Sequence, residues 1–271
     1  MSFYTSLTGL KNAQTDLNVI SNNIANAETS GFKKSDTAFA DIVSSSAFSD
    51  PKLTVGIGAR VSSITQNFSL GAVEQTGNAL DIAINGEGFF TVVSPISGET
   101  QYTRAGSFNV DGQGYVQNAV GSRLQAFPVD ATGAITSTTT LQDVQIPQTN
   151  AAGSEFAGVT IGVNGNVVAT YADGSNATLG VVAMASFISP TGLKQVGNAS
   201  WEATGVSGAA NYGQAGGGLY GELLSGAIER SNVDIAEELV SLITAQRNFQ
   251  ANAKAVDTAT QISQTIINLR T

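Results

Sequence analysis

Apolar residues recur every three or four positions at both ends of the chain, and between the ends the spacing changes to every second position. The N-terminal stripe runs Phe3, Leu7, Leu10, Ala13, Leu17, Ile20, Ile24 and Ala27. The C-terminal stripe runs Ile235, Leu239, Leu242, Ala245, Phe249, Ala253, Val256, Ala259, Ile262, Ile266 and Leu269. Steps averaging about 3.5 residues define a narrow seam for packing helix on helix, as in coiled coils. The first helix is predicted to begin near Ser2 and to stop before Gly31, at the Ser30-Gly31 break. The second should begin near Asp234, which with Glu237 three places on reads as a capping box. Asp234, Glu237 and Glu238 in its first turns, with Arg270 at its end, match the direction of the helix dipole.

The middle of the chain reads as antiparallel β structure. Leu80-Asp81-Ile82-Ala83-Ile84 alternates, Asn85-Gly86-Glu87-Gly88 breaks the pattern, and Phe89-Phe90-Thr91-Val92-Val93 resumes it. Asp111-Gly112, Asn164-Gly165 and Asp173-Gly174 are hairpin signals between apolar runs. The stretch from Val159 to Ile188 reads as a three-strand meander. The expected fold is therefore α+β: discontinuous coiled-coil terminal helices plus an antiparallel β body with extended connecting arms. The expected divisions are a helix over 1–30, an extended arm with hairpin-like pieces over 31–78 and a β domain over 79–212. A Gly-rich return arm over 213–231 and a helix over 232–271 complete them. The run from 205 to 221 is especially rich in glycine and reads as flexible. This nesting should bring the two ends side by side.

Composition narrows the chemistry. The 271 residues are 42% hydrophobic and only 12% charged, with a formal net charge of −9. Nucleic-acid binding is not expected, because phosphate contacts need clustered Lys and Arg. With no Cys and no His, thiol nucleophiles, Ser-His-Asp triads, disulfides and most zinc sites are excluded. No cofactor or metal site is expected. No Sec-type leader is readable, and the longest nearly uncharged apolar stretch, Leu179 to Ile188, is too short to insert in a membrane.

Local motifs have plain readings. Asn85-Gly86-Glu87-Gly88 leads into a strand, whereas a phosphate loop should open a helix, so it reads as a tight turn. Ser30-Gly31-Phe32-Lys33 matches the Ser-x-x-Lys pattern of penicillin-recognising enzymes but sits at a helix end and lacks a Lys-Thr-Gly companion. Asp81 with Glu87 could pair for glycoside hydrolysis, yet nothing fixes a cleft around them. Trp201, the single tryptophan, could stack on a sugar but reads as core. Asn67-Phe68-Ser69 and Asn176-Ala177-Thr178 are glycosylation sequons that carry little weight. No catalytic residue is assigned.

Four runs carry a family resemblance. SNNIANAETSGFKKS at 21 to 35 and SNVDIAEELVSLITAQRNFQANAKAVDTATQ at 231 to 261 resemble the terminal signatures of bacterial flagellar rod and hook proteins. TGNALDIAINGEGFFTV at 76 to 92 and YTRAGSFNVDGQGYV at 102 to 116 resemble runs between them. The opening Met1-Ser2-Phe3, the tail Ile266-Ile267-Asn268-Leu269-Arg270 and the short segment between Asp41 and Val55 are similar to hook members. The single β body, with no additional outer domain, is similar to the distal rod protein.

The resemblance implies a structural protein with no catalysis, a subunit of the flagellar hook with the distal rod as the alternative. A secreted carbohydrate-binding β protein is the reading outside the family. The resemblance also implies export through the flagellar type III apparatus without a cleaved Sec signal, and a location in the extracellular hook, or in the basal body if rod. Its partners would be other copies of the chain and other axial proteins: rod, hook cap and hook–filament junction.

The assembly interface is expected at Phe3, Leu7, Leu10, Leu17, Ile20, Ile24, Ile235, Leu239, Leu242, Phe249, Val256, Ile262, Ile266 and Leu269. Asn22, Asn23, Gln246, Gln250 and Asn252, polar but uncharged, are expected to face outward and line a central channel. The terminal helices are expected to gain their order on assembly.

Overall fold

The computed structural model describes residues 2–44, 55–130 and 133–269. Residues 45–54 of the expected extended arm, and Arg270, expected to end the last helix, lie outside them. The fold is α+β and divides into two compact units. The first gathers residues 1–27, 34–67 and 233–271; the second gathers 28–33 and 68–232.

The first unit holds helix α1 (Ser2–Ala25), strands β1 (Ser35–Ser44) and β2 (Val55–Gln66), and helix α2 (Ile235–Asn268). Helix α1 ends earlier than Gly31 because asparagine takes over the backbone. The Asn26 N–H is shared between the carbonyls of Asn22 and Asn23, and its side chain donates to Asn22 O at 2.9 Å. Turns then lead on to Gly31.

Helix α2 starts where the cap is. Asp234 Oδ1 accepts from the N–H groups of Ala236 and Glu237 at 2.8 and 3.2 Å, satisfying two donors that the first turn leaves free. The Glu237 carboxylate, which a full capping box would turn back on Asp234, lies 3.9 Å from Lys34 Nζ. Asp234→Ala is expected to cost about 1 kcal/mol of helix stability, read as an earlier loss of helical circular dichroism on heating.

β1 and β2 form a long antiparallel ribbon from Ser35 opposite Gln66 to Ser44 opposite Val55. Its register shifts between Ala38 and Phe39 and again between Ile42 and Val43. Beside it, Thr8 of α1 comes so close to Gly58 that a Cβ there would lie 2.3 Å from its hydroxyl oxygen.

The second unit is the β body. Its main sheet is antiparallel and runs in the order Phe156–Ile161, Asn166–Tyr171, Asn176–Val182, Arg123–Phe127, Phe89–Val93, Thr100–Thr103, Ser200–Glu202, Lys194–Gly197. The first three are the meander expected from sequence. Asn164-Gly165 and Asp173-Gly174 make its turns, with both glycines at positive φ. The largest core cluster joins Ile82, Ile84, Phe90, Val92, Phe108, Leu124 and Met184. A second, aromatic cluster holds Phe89, Tyr102, Phe187 and Trp201. Trp201 is wholly buried, edge-to-face with Phe68 and Phe89, so it presents no face to a sugar. Asp81 is buried and accepts from the Thr76 hydroxyl at 2.6 Å.

Within residues 213–231, read from sequence as a Gly-rich return, two short stretches are strand-paired. Glu222–Ser225 pairs with Ile82–Asn85, and Ala227–Glu229 with Val73–Gln75. Gly221 serves close approach, since a Cβ on it would meet the Gly86 Cα at 2.8 Å, whereas one on Gly218 would meet nothing within 4 Å.

Candidate assembly interface

Two cross-helix pairs set the register of the helical unit. A Cβ on Gly9 would lie 2.5 Å from Asn252 Oδ1, and Asn23 Nδ2 donates to Glu238 Oε2 at 3.2 Å. Fourteen residues forward on α1 match fourteen back on α2, so the helices run antiparallel. Carried to the start of α1, this register sets Ser2 opposite Ala259.

The inward face of α2 is Glu238, Leu242, Ala245, Phe249, Asn252, Val256 and Ala259, buried or half-buried in steps of four and three. Leu7, Leu10, Leu17 and Ile24 of α1 are half-buried, while Ala13 and Ile20 are buried. Seam positions thus serve the chain's own helix pair first.

Other positions of the sequence stripe remain uncovered. Phe3, Ile235 and Leu239 are exposed, together with Val240 and Ile243, which the sequence reading did not single out. Beyond Ala259, exposure rises to 56% at Ile262 and 82% at Leu269, with Ile266 and Ile267 between. Exposed apolar groups gathered at both ends of one helix mark interaction sites rather than scattered exposure.

The outward polar set divides. Asn22, Gln246 and Gln250 are exposed. Asn23 is not: it is 1% exposed, donates to Ser35 O at 2.9 Å, and accepts from Ser35 N at 3.0 Å. It ties α1, the start of β1 and Glu238 of α2 together, so it cannot line a channel. Asn252 also turns inward, onto Gly9. A buried asparagine passes for a surface residue in sequence because its partners here are backbone groups and an acid far along the chain. Glu238 was missed as a seam residue for the same reason, although it stands four before Leu242 and seven before Ala245.

Burial raises the carboxyl pKa of Asp16 on α1, partly offset by the nearby Thr37 hydroxyl, which meets no full hydrogen-bond geometry. A carboxyl whose folded pKa is raised loses stability as pH climbs from its unfolded value, near 3.8, through its folded one. Asp16→Asn is therefore expected to raise the melting temperature of the helical unit at pH 7 and to change nothing at pH 3. Thermal scans at both values check the sign.

The β body carries its own constellation. Glu229, fully buried, accepts from Lys33 Nζ and from Gly71 N at 2.9 Å through Oε1, and from Arg104 Nη1 at 3.3 Å through Oε2. Lys33 also donates to Ser69 O at 2.6 Å, and Arg104 Nη2 to Gly86 O at 2.9 Å. Burial pulls both cations below their ordinary pKa, against the opposing pull of Glu229. Gly31, at φ +70°, packs against the Ala105 backbone and donates to Glu229 O at 2.8 Å. Lys33 belongs to a charged pair in sequence with no visible partner. Its acid lies 196 residues away.

A chain whose body is closed by Lys33 against Glu229, 196 residues on, and whose helices leave apolar faces uncovered has the features of a subunit that packs against neighbours. Three family profiles fall on these parts in order. One described as flagella basal body rod protein matches residues 3–33. One described as the flagellar hook protein FlgE/F/G D1 domain matches 83–169, and one described as the flagellar basal body rod FlgEFG protein C-terminal matches 224–269. The chain belongs to the flagellar rod and hook protein family.

It is 33% identical over 282 residues to the flagellar basal-body rod protein FlgG of Bacillus subtilis, covering 99% of this chain and 98% of the relative. With the FlgG of Caulobacter vibrioides it shares 34% over 280 residues, 98% of each. With the flagellar hook protein FlgE of Salmonella typhimurium it shares 27% over 411 positions spanning all of both chains. An alignment longer than 271 residues places extra sequence in that hook relative.

Proposed function

We propose that this chain polymerises through its terminal helices into a hollow helical tube and serves as a flagellar hook subunit, a flexible joint passing torque from rod to filament. The observation that carries the assembly role is the uncovered apolar surface of α2, at Ile235 and Leu239 on one stretch and at Ile262, Ile266 and Leu269 on another. A contact between different patches, repeated by an operation that does not close, builds an open tube. The expected interface then divides in two: Leu242, Phe249 and Val256 face the mate helix, and the uncovered positions face other copies. Asn22, Gln246 and Gln250 remain candidates to line the channel. Rod, hook cap, hook–filament junction and the type III export apparatus are the proposed partners, and the helices gain their final order among neighbouring copies.

The hook assignment rests on the ten-residue connection, 45–54, between β1 and β2, where the distal rod protein would carry a longer insertion. A second reading, the rod, is favoured by the match in length to the FlgG relatives. Immunogold labelling of isolated basal bodies separates them. Label outside the outer-membrane ring is expected for the hook; label confined inside it would make the chain a rod subunit.

A further inference from the structure

The chain holds two Asn-Gly steps, Asn85-Gly86 and Asn164-Gly165, and two Asp-Gly steps, Asp111-Gly112 and Asp173-Gly174. In such steps the glycine nitrogen can attack the side-chain carbonyl carbon before it, because glycine has no Cβ to shield that nitrogen. A nitrogen whose N–H is hydrogen-bonded, or a side chain already tied down, must first be released. Three of the four steps are held in this way. Gly165 N donates to Gly162 O at 2.8 Å, and Gly174 N to Tyr171 O at 2.9 Å. Asp111 Oδ1 accepts from Gln113 N and Tyr115 N, both at 2.8 Å.

The fourth step is free. Asn85 ends the strand Ile82–Asn85, where it lies opposite Glu222. Asn85, Gly86 and Glu87 are all exposed. Neither the Asn85 side chain nor the Gly86 N–H has a hydrogen-bond partner among the described residues. The glycine is held from its other end, where its carbonyl accepts from Arg104 Nη2 at 2.9 Å. A guanidinium on this glycine favours the form in which the amide has given up its proton.

We propose that Asn85 is a self-modification site of the folded chain, losing its side-chain amide to attack by the Gly86 nitrogen. Gly86 N gives its proton to hydroxide from the solvent and bonds to Asn85 Cγ. The Cγ–Nδ2 bond breaks, and Nδ2 takes a proton from water and leaves as ammonia. Water then opens the resulting cyclic imide. Opening at Cγ gives aspartate; opening at the Asn85 backbone carbonyl carbon gives isoaspartate, with one more carbon in the main chain. The sum is amide and water to acid and ammonia. Aspartate sets a new carboxylate opposite Glu222. Isoaspartate lengthens the chain at a point where a Cβ on Gly86 would already lie 2.8 Å from the Gly221 Cα.

Peptide mapping by mass spectrometry of the full chain, aged at mildly alkaline pH, tests the site. A protein-isoaspartate methyltransferase counts the isoaspartate. Native protein is expected to convert at Asn85 about tenfold faster than at Asn164, where Gly165 must first give up a hydrogen bond. In urea the turn contact is gone and the two sites should convert alike. Equal rates in the native chain, a faster Asn164, or a native chain inert at both sites would overturn the proposal. The rate at Asn85 should climb with pH as more of the amide is deprotonated, and a pH-independent rate would rule out attack by the nitrogen. Asn85→Gln, at an exposed position, should leave the fold intact and suppress conversion there; ammonia released from it as fast as from the wild type would place the reaction elsewhere. The modified fraction, separated by its added negative charge, is expected to melt below the unmodified chain. Equal melting would overturn the disturbance of the Gly86–Gly221 contact.

Discussion

Glu229→Gln is expected to lower the stability of the β body by about 3–5 kcal/mol, the range for removing one partner of a buried ion pair. In the substituted protein Lys33 and Arg104 would sit in the same buried space with no countercharge, and one of them would also face an amide hydrogen. The lost energy is the cost of two uncompensated cations more than the worth of the bonds removed. Urea unfolding followed by the fluorescence of Trp201, the single tryptophan and a buried one, measures it. Lys33→Met combined with Glu229→Gln should cost less than the sum of the two single changes, because the double variant removes one of the stranded charges. Arg230 gives the contrast. It bridges Glu28 and Glu74 but is 38% exposed, and Arg230→Ala should cost less than about 1 kcal/mol. Equal losses at Glu229 and Arg230 would contradict the keystone role of the buried acid.

Ile262→Asp with Ile266→Asp is expected to abolish assembly while leaving the helix pair intact. Both residues lie on the part of α2 beyond Ala259, more than half exposed in the single chain, so the folded monomer gains little from them. If neighbouring copies bury them, each contributes about 2 kcal/mol. Losing both costs about 4 kcal/mol, a factor of roughly a thousand in critical concentration, before the penalty for bringing two carboxylates to an apolar contact. Sedimentation of the assembled fraction measures the effect, and circular dichroism checks that the helices persist. A variant that assembles at the wild-type concentration would remove this surface from the interface. Ile20→Asp is the control with the opposite signature: it strikes a buried position and should disturb the helix pair itself.

The sequence shows the two helices and the meander plainly because their signals are local. Apolar spacing, the Asp234 cap and the Asn-Gly and Asp-Gly turns each act within a few residues. Two things were hidden for a shared reason. The contact of Asn23 with Glu238, the turn of Asn252 onto Gly9 and the pairing of residues 222–229 depend on partners more than a hundred positions away, and short-range patterning is blind to such distances. Gly221 looked like slack because nothing in its neighbourhood reveals Gly86 lying against it. The candidate interface was legible as a stripe. Its division into self-facing and outward parts required the register that Gly9 and Asn23 set.

The two register shifts in the β1–β2 ribbon bear on a hazard particular to a crowded filament. A two-stranded ribbon has two free edges, and each is a template for sideways pairing with an identical ribbon. Here the longest stretches of unbroken register are four residues, Ser35 to Ala38 and Phe39 to Ile42. Stacked cross-β growth uses segments of about six or seven. Each bulge also adds local twist, which turns successive edge groups out of line. The ribbon can stand at high local density with Phe39, Val43 and Ile64 uncovered and still deny its copies a zipper long enough to propagate.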